Sequence, residues 1–321
     1  LIPFFTAMVL ALLQGHPRLE KGLALASNLG LTAYVFWLLD LVDTDGIQVT
    51  MLGGYLAPYG IAFVLDRLAC IMLCASMTVG TVALAYACCT VTERQQQSFL
   101  FPFFQVVQLG VNWSFVPTDL FNLFVASEVL LIGSYGSLIA GATRQQVRQT
   151  MMYIVINLIG AALFIVGVAL VYALAGTLNL ADLAERTAVM TGSRAAMFSA
   201  ASMVLLFVFL LKSAAFPLFS WLPDAYPVLP VGLNGYFAGV LPKVGIYSLL
   251  RVFVMAFRQE DQGVVAETLI FLSGFTMLLG VLGALAQWEM RRLLSWHIIS
   301  QGGYMVMGVG LAADPRIAVA A

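Results

Sequence analysis

The sequence predicts an all-α protein that crosses a membrane many times. Three observations carry this reading. Hydrophobic residues make up 61% of the chain and charged residues 10%, whereas soluble domains carry about 25% charged residues. Apolar runs near the roughly 20 residues needed to cross a bilayer recur from end to end. The connections between them are short, and several carry Pro, Gly or Asp as breakers.

Taken in order, about ten such segments can be marked: 1–13, 23–40, 58–91, 98–115, 118–141, 149–174, 195–222, 229–257, 264–286 and 293–312. The opening LIPFFTAMVLALL has neither an initiator Met nor a charged leader region, so it reads as a transmembrane helix without its start rather than a signal peptide. The last residues, ADPRIAVAA, begin another apolar run. The chain is expected to be part of a longer protein. Between segments, LNLADLAERTAVMTGS (178–193) is expected to form a short amphipathic helix at the interface.

The distribution of Lys and Arg predicts orientation. Arg18, Lys21, Arg94, Arg144, Arg148, Arg291 and Arg292 fall on one side of the predicted topology. The other side holds Arg186, Arg194, Arg258 and Arg316 beside acids including Asp40, Asp43 and Asp45. The first side is expected to be cytoplasmic, with the N-terminus outside. The net charge of −1 offers no basic field for nucleic acid. Cys70, Cys74, Cys88 and Cys89 lie in one apolar segment with no ligand pattern around them, so they read as small buried hydrophobes and no metal site is expected.

Six charges remain at membrane depth: Asp66, Arg67, Glu128, Lys212, Lys243 and Arg251. Asp66, Arg67 and Arg251 fall near helix ends, where a long side chain can snorkel. Glu128, Lys212 and Lys243 lie deep. Each ionised group at mid-bilayer costs about 2.5–3.5 kcal/mol on insertion scales, so the three together cost on the order of 8–10 kcal/mol. Two readings account for them. Either they form a buried ion pair that holds helices together, or they carry protons through a polar interior. One carboxylate cannot neutralise two lysines, and buried pairs rarely add net stability, which favours the second. Desolvation and a neighbouring carboxylate act on a lysine in opposite senses. Movement of Glu128 relative to a lysine would therefore switch it between holding and releasing a proton.

Two prolines stand beside the lysines. Pro217 follows Lys212 by five residues and is expected to free the carbonyl of Ser213; Pro242 precedes Lys243 and is expected to free that of Ala238. Both are expected to break their helices. A free carbonyl at membrane depth needs water, a side chain or an ion, and broken helices beside ionisable groups recur at transport sites. A kink required only by packing is the alternative. His297, in RRLLSWHIISQGGYMVMG, lies about one turn inside its helix. It suits a proton relay with Ser300, Gln301 and Tyr304, or it is a packed histidine bonded to a serine or a carbonyl.

The strings FNLFVASEVLLIGSYG, LLKSAAFPLFSWLPDAYP, LPKVGIYSLLR and RRLLSWHIISQGGYMVMGVG resemble the antiporter-like membrane subunits. That family includes the large subunits of Mrp-type multisubunit cation/proton antiporters and the proton-pumping subunits of respiratory complex I. The tyrosine in WLPDAYP is more similar to the D-type subunits of the Mrp branch. The resemblance implies an antiporter-like bundle of fourteen helices, about ten of them present here, with a broken seventh helix and an inverted repeat of five. It implies N-terminal helices over 1–97, a first repeat over 98–257 and the start of a second over 258–321. It also implies a lateral proton path in which Glu128 modulates Lys212, and Lys243 and His297 pass the proton onward. Pro242 stands where the family more often has a small residue, a departure that bears on the path at Lys243.

By this resemblance the chain is a secondary transporter subunit in a bacterial inner membrane, with other membrane subunits as partners and protons and Na⁺ or K⁺ as cargo. A pumping subunit of a redox-driven complex and a purely structural scaffold are the alternatives. The chain has no flavin, haem, iron–sulfur or nucleotide motif, so no cofactor is expected, and any redox chemistry would belong to partner chains.

Overall fold

The computed structural model describes residues 1–55, 60–141, 143–257 and 262–313. Helices α1 (Ile2–Leu12) and α2 (Pro17–Asp45) lead into an antiparallel ribbon of β1 (Gln48–Met51) and β2 (Ala62–Leu65). Then come α3 (Arg67–Thr90), the short α4 (Glu93–Gln97), α5 (Leu100–Ser114), α6 (Leu120–Ile139) and α7 (Arg144–Ala175). The chain continues through α8 (Leu180–Ala188), α9 (Gly192–Lys212), the single turn α10 (Leu222–Ala225) and α11 (Val231–Leu249). A π-helical turn, Leu250–Ala256, extends α11 before α12 (Gln262–Leu285) and α13 (Met290–Ala313).

Each of the ten apolar segments contains one main helix. Seven of these, among the described residues, are long and apolar enough to cross a bilayer: α2, α3, α6, α7, α9, α11 with its π extension, and α12. The chain is a multi-pass membrane protein. Its outward faces are accordingly apolar, as with Met152, Leu158 and Ile159 on α7 and Phe271, Leu278 and Leu282 on α12.

Helix starts follow local chemistry. The first amides of a helix have no partner within it, so polar caps are favoured. Asp66 accepts from the amide of Ala69 at 2.8 Å and Asp119 from that of Asn122 at 2.7 Å. Thr143 and Gln146 close a capping box ahead of α7. Asn179 caps the amphipathic α8, which buries Leu183 and Thr187 and carries the Asp182–Arg186 pair at 2.9 Å.

One boundary differs from the sequence reading, which places a helix from residue 58. Positions 58 and 59 lie outside the described residues, and α3 starts at Arg67 because Asp66 caps it there. The preceding Ala62–Leu65 pairs with Gln48–Met51, Val49 opposite Val64. These β-branched and aromatic residues suit an extended ribbon, and β2 also bonds the 115–118 loop, the amide of Val64 donating to Val116.

Two aromatic-rich clusters form the interior. One joins α3, α5 and α11 around Phe104 and Tyr236; the other joins α7, α9 and the π turn around Phe164, Phe209 and Phe253. Close helix contacts in a membrane favour small residues. Gly245 is the instance that matters here: a Cβ at this position would lie 2.7 Å from the amide nitrogen of Ser213. Glycine thus seats α11 directly against the end of α9.

The segment 195–222 is interrupted around Pro217 as expected, α9 ending at Lys212 and α10 starting at Leu222, but the prolines differ from expectation in detail. The α-helix does not break at Pro242: α11 passes through it and continues to Leu249. Nor does Pro217 sit inside a helix and free the Ser213 carbonyl, since α9 already ends at Lys212. Ala214 there takes a left-handed φ of 53°, and the amide of Phe216 is bonded to Thr276 Oγ1 at 2.8 Å. The Phe216–Pro217 peptide is cis.

Candidate functional site

The end of α9 places Lys212 in the bundle interior. Its last carbonyls are capped without a further helical turn. The amides of Ala214 and Ala215 donate to Leu211 and Leu210 at 3.1 and 3.0 Å, and Trp221 Nε1 donates to Leu211 at 3.2 Å. The carbonyls of Leu210 and Leu211 are therefore satisfied, and the lysine ammonium requires partners of its own at this depth.

Those partners come from adjacent residues on α6. Lys212 Nζ donates to Ser127 Oγ at 3.2 Å and lies 4.0 Å from Glu128 Oε1. Ser127 gives its own proton to the Phe124 carbonyl at 2.8 Å, leaving its oxygen free to accept. The ammonium also sits 5.9 Å from the centroid of Phe164. The Glu128 contact is too long for a direct hydrogen bond, and Glu128 Oε1 has no hydrogen-bond partner among the described residues. The lysine side chain is 11% exposed and the glutamate 30%. The glutamate is thus the more accessible half of a loosely closed pair.

A cavity of about 20 Å³ adjoins Lys212, with Ser127, Tyr153, Asn157, Trp221 and Tyr226 in its wall. That is room for about one water molecule. The hydroxyl of Tyr226 is buried without a partner among the described residues, and a water in the cavity would have polar groups within its wall. Ser127, Tyr153 and Asn157 escape the sequence reading. Their only signal is a polar residue recurring within an apolar run, as in YIVINLIG. Tyr226 stands out in the sequence only as a marker of the family branch.

Lys243 is placed elsewhere. Its Nζ donates to the carbonyl of Ala238 at 3.0 Å, the carbonyl that Pro242 cannot serve. The side chain following the proline thus replaces the missing amide, which is how α11 passes through it unbroken. Leu241, Val244 and Gly245 face the cavity at Lys212. Lys243, two residues from Gly245, points about 200° away around the helix. His297 lies on an exposed stripe of α13 with Gln301 and Tyr304. The structure brings Glu128 to Lys212; among the described residues no hydrogen bond or ion pair joins Lys243 or His297 to that pair.

Asp66 and Arg251, read from sequence as snorkelling ends, instead pair with each other. Arg251 Nε donates to Tyr247 Oη at 2.7 Å, and Tyr247 donates to the Phe115 carbonyl at 2.6 Å. Arg67 pairs with Asp43 at 2.8 Å on the exposed edge. Among the described residues no His, Cys, Asp and Glu group is arranged to hold a metal ion.

A multi-pass helical bundle with a half-buried carboxylate–lysine pair at an interrupted helix has the architecture of an antiporter-like membrane protein. Residues 117–320 match the family described as NADH:quinone oxidoreductase/Mrp antiporter, TM. The chain belongs to that family. It is 39% identical over 318 residues to the D-type subunit of the Na(+)/H(+) antiporter of Alkalihalophilus pseudofirmus, and 33% identical over 317 residues to that of Bacillus subtilis. In both cases the match covers 99% of this chain and 64% of the relative. The chain therefore spans less than two thirds of these relatives. The fold superposes on a chain of the Mrp complex from a Dietzia species with a TM-score of 0.89 at 29% identity, covering 97% of this chain and 57% of that one. It superposes on a chain of an archaeal respiratory complex, the membrane-bound sulfane sulfur reductase, with a TM-score of 0.90 at 24% identity, covering 97% and 63%.

Proposed function

We propose that the chain is part of a D-type subunit of a multisubunit cation/proton antiporter of the Mrp type, in which Glu128 and Lys212 hold and release the transported proton. The observation that carries this reading is the loose pair itself. Lys212 is bonded to a neutral serine and stands 4.0 Å from a carboxylate oxygen with no partner among the described residues. A small displacement of α6 or α9 would close or open the contact, and with it the preference of the lysine for its proton.

On this reading Lys243 and His297 are later stations of the path, reached through water or side-chain movement. The N-terminus faces outward from a bacterial inner membrane. The exchanged cation is Na⁺ or K⁺, and other membrane subunits complete the complex. The support is the similarity to D-type antiporter subunits together with the pair's position at the interrupted helix.

The test is cation/proton exchange in everted vesicles carrying the intact complex. Lys212→Ala is expected to abolish exchange with assembly retained. Lys212→Arg is expected to fail as well, because arginine keeps the charge but does not give up its proton. Near-normal exchange in the arginine variant would overturn the proton-carrying role and favour a scaffold. The likeness in fold to the archaeal respiratory complex sustains one other reading, a pumping subunit of a redox-driven assembly. Purification of the complex separates the two: peripheral iron–sulfur proteins would favour it, and small membrane subunits alone the antiporter.

A further inference from the structure

The Glu128–Lys212 site leaves unused a second polar cluster, enclosed by α2, α3, α5 and α11. Gln105, Gln108 and Asn112 recur along one face of α5 at helical spacing. Gln108 is completely buried, and neither its amide nitrogen nor its oxygen has a partner among the described residues. Gln105 Nε2 donates to Asn28 Oδ1 at 3.0 Å, which leaves Gln105 Oε1 and Asn28 Nδ2 unpaired. Turning both amides over merely exchanges the roles, one donor and one acceptor again being left.

Two donor groups and two acceptors are thus buried without partners among the described residues. Buried polar side-chain atoms are usually satisfied, so such a cluster calls for a ligand. The chemistry selects which one. A cation would leave the amide N–H groups unmet, and an anion would leave the carbonyl oxygens unmet. Water both donates and accepts, and buried water typically makes about three hydrogen bonds.

Further polar groups flank the three amides on both sides. A Cβ at position 80 would lie 2.4 Å from Gln108 Nε2, so glycine leaves the amide its room. On one flank, the hydroxyls of Thr32 and Thr81 are 2.8 Å apart. On the other, Ser76 Oγ lies 3.1 Å from Tyr236 Oη and donates to Asn112 Oδ1 at 3.2 Å. Beyond Asn28, toward the start of α2, Glu20 accepts from Gln96 at 2.7 Å and keeps a second buried oxygen without a partner among the described residues.

We propose that Asn28, Gln105 and Gln108 bind a row of internal water molecules that conducts protons between the start of α2 and the middle of the bundle, apart from the Glu128–Lys212 pair. The protons pass from water to water, and the amides only orient the row. The conducting role rests on the transport reading above; the water site does not.

The test uses the intact complex in native membranes. Met77 is fully buried and accepts from Asn112 Nδ2 at 3.0 Å, so its sulfur reports on water at this place. Brief X-ray radiolysis, which produces hydroxyl radicals from bound water, should oxidise Met77 to the sulfoxide. Gln108→Met, similar in shape but apolar, should lower that labelling severalfold and slow cation/proton exchange by about tenfold, a broken relay link. Gln108→Glu, which keeps polar oxygens, should retain the labelling. Absence of label on Met77 in the unaltered complex would overturn the water site. Loss of label in Gln108→Met with unchanged exchange would overturn the conducting role. Lys212→Ala should keep the Met77 label while blocking exchange. Exchange surviving in Lys212→Ala would thus defeat the proton-carrying role of Lys212 without touching the water site.

Discussion

Two acid–base pairs in this bundle have the same charges and opposite character. Asp66 and Arg251 join chain segments far apart in sequence at the rim of the bundle. Both halves of that pair are held by further bonds. Asp66 caps α3 through the Ala69 amide, and Arg251 is held by Tyr247, which is held in turn by Phe115. Glu128 and Lys212 meet at 4.0 Å, with one carboxylate oxygen unpartnered and a water-sized cavity beside the lysine. A fully bonded pair built on an arginine cannot pass a proton on, because nothing in it is free to change. A loose pair built on a lysine can. The number and rigidity of the surrounding bonds, rather than the presence of charge, separate a staple from a site.

Substitutions can break this contrast. The largest effect is expected at Lys212. Alanine or arginine there should reduce exchange by at least about a hundredfold, the range of a lost proton-transfer group. Glu128→Gln is next. It keeps shape and polarity but removes the charge that biases the lysine, so exchange should fall by about tenfold or more, with a displaced pH profile. A glutamine variant with an unaltered pH profile would show that Glu128 does not govern Lys212.

At the other pair the ordering should invert, with stability affected and exchange spared. Asp66→Asn keeps a capping side chain and removes only the charge. It should lower the stability of the complex by about 2–3 kcal/mol, below the cost of breaking a fully buried pair, because the side chains are 19% and 16% exposed. The effect has a defined pH dependence. Burial pushes the Asp66 carboxyl up, but the Arg251 hydrogen bond and the Ala69 amide outweigh it and hold the group below the ordinary carboxylate range. A depressed carboxyl contributes stability that is present above its unfolded value and lost as pH falls through its folded value. Thermal unfolding should therefore show a constant gap between the two proteins from about pH 5 to 8, closing only in acid.

The smallest effect is expected at Ala214. Its φ of 53° is unfavourable for a residue with a Cβ, so Ala214→Gly should change stability by less than about 1 kcal/mol, relief of strain being offset by the freer unfolded chain. Exchange should be unaffected. A large loss of exchange in that variant would mean that the strained end of α9 helps to place Lys212.

Much of this is legible in the residues. Apolar runs of bilayer length mark out the helices because hydrocarbon leaves the backbone no partner but itself. Charges within those runs stand out because their cost is high and local, which is why Glu128 and Lys212 can be picked out together. The strand Ala62–Leu65 is not legible, since a short apolar stretch ahead of a helix reads as part of it. The residues place the helix interruption near Pro217, and it lies there, but it opens at Ser213, ahead of the proline, and a hydroxyl from α12 captures the Phe216 amide within it. Pro242 is expected to break its helix for a sound local reason, the missing N–H. A side chain one residue on supplies the replacement.

By itself the sequence determined that this chain is a multi-pass helical membrane protein of a particular family, and which ionisable side chains lie at membrane depth. Those properties depend on composition, periodicity and motif, all local along the chain. Only the tertiary structure decided which charges pair, which proline interrupts, that Lys243 turns to the other side of α11 from Gly245, and that three buried amides keep, among the described residues, four polar atoms without partners. These depend on which helix faces touch. A rotation of about 100° per residue sends neighbours such as Lys243 and Gly245 to opposite sides, a difference that appears only once the helices are packed.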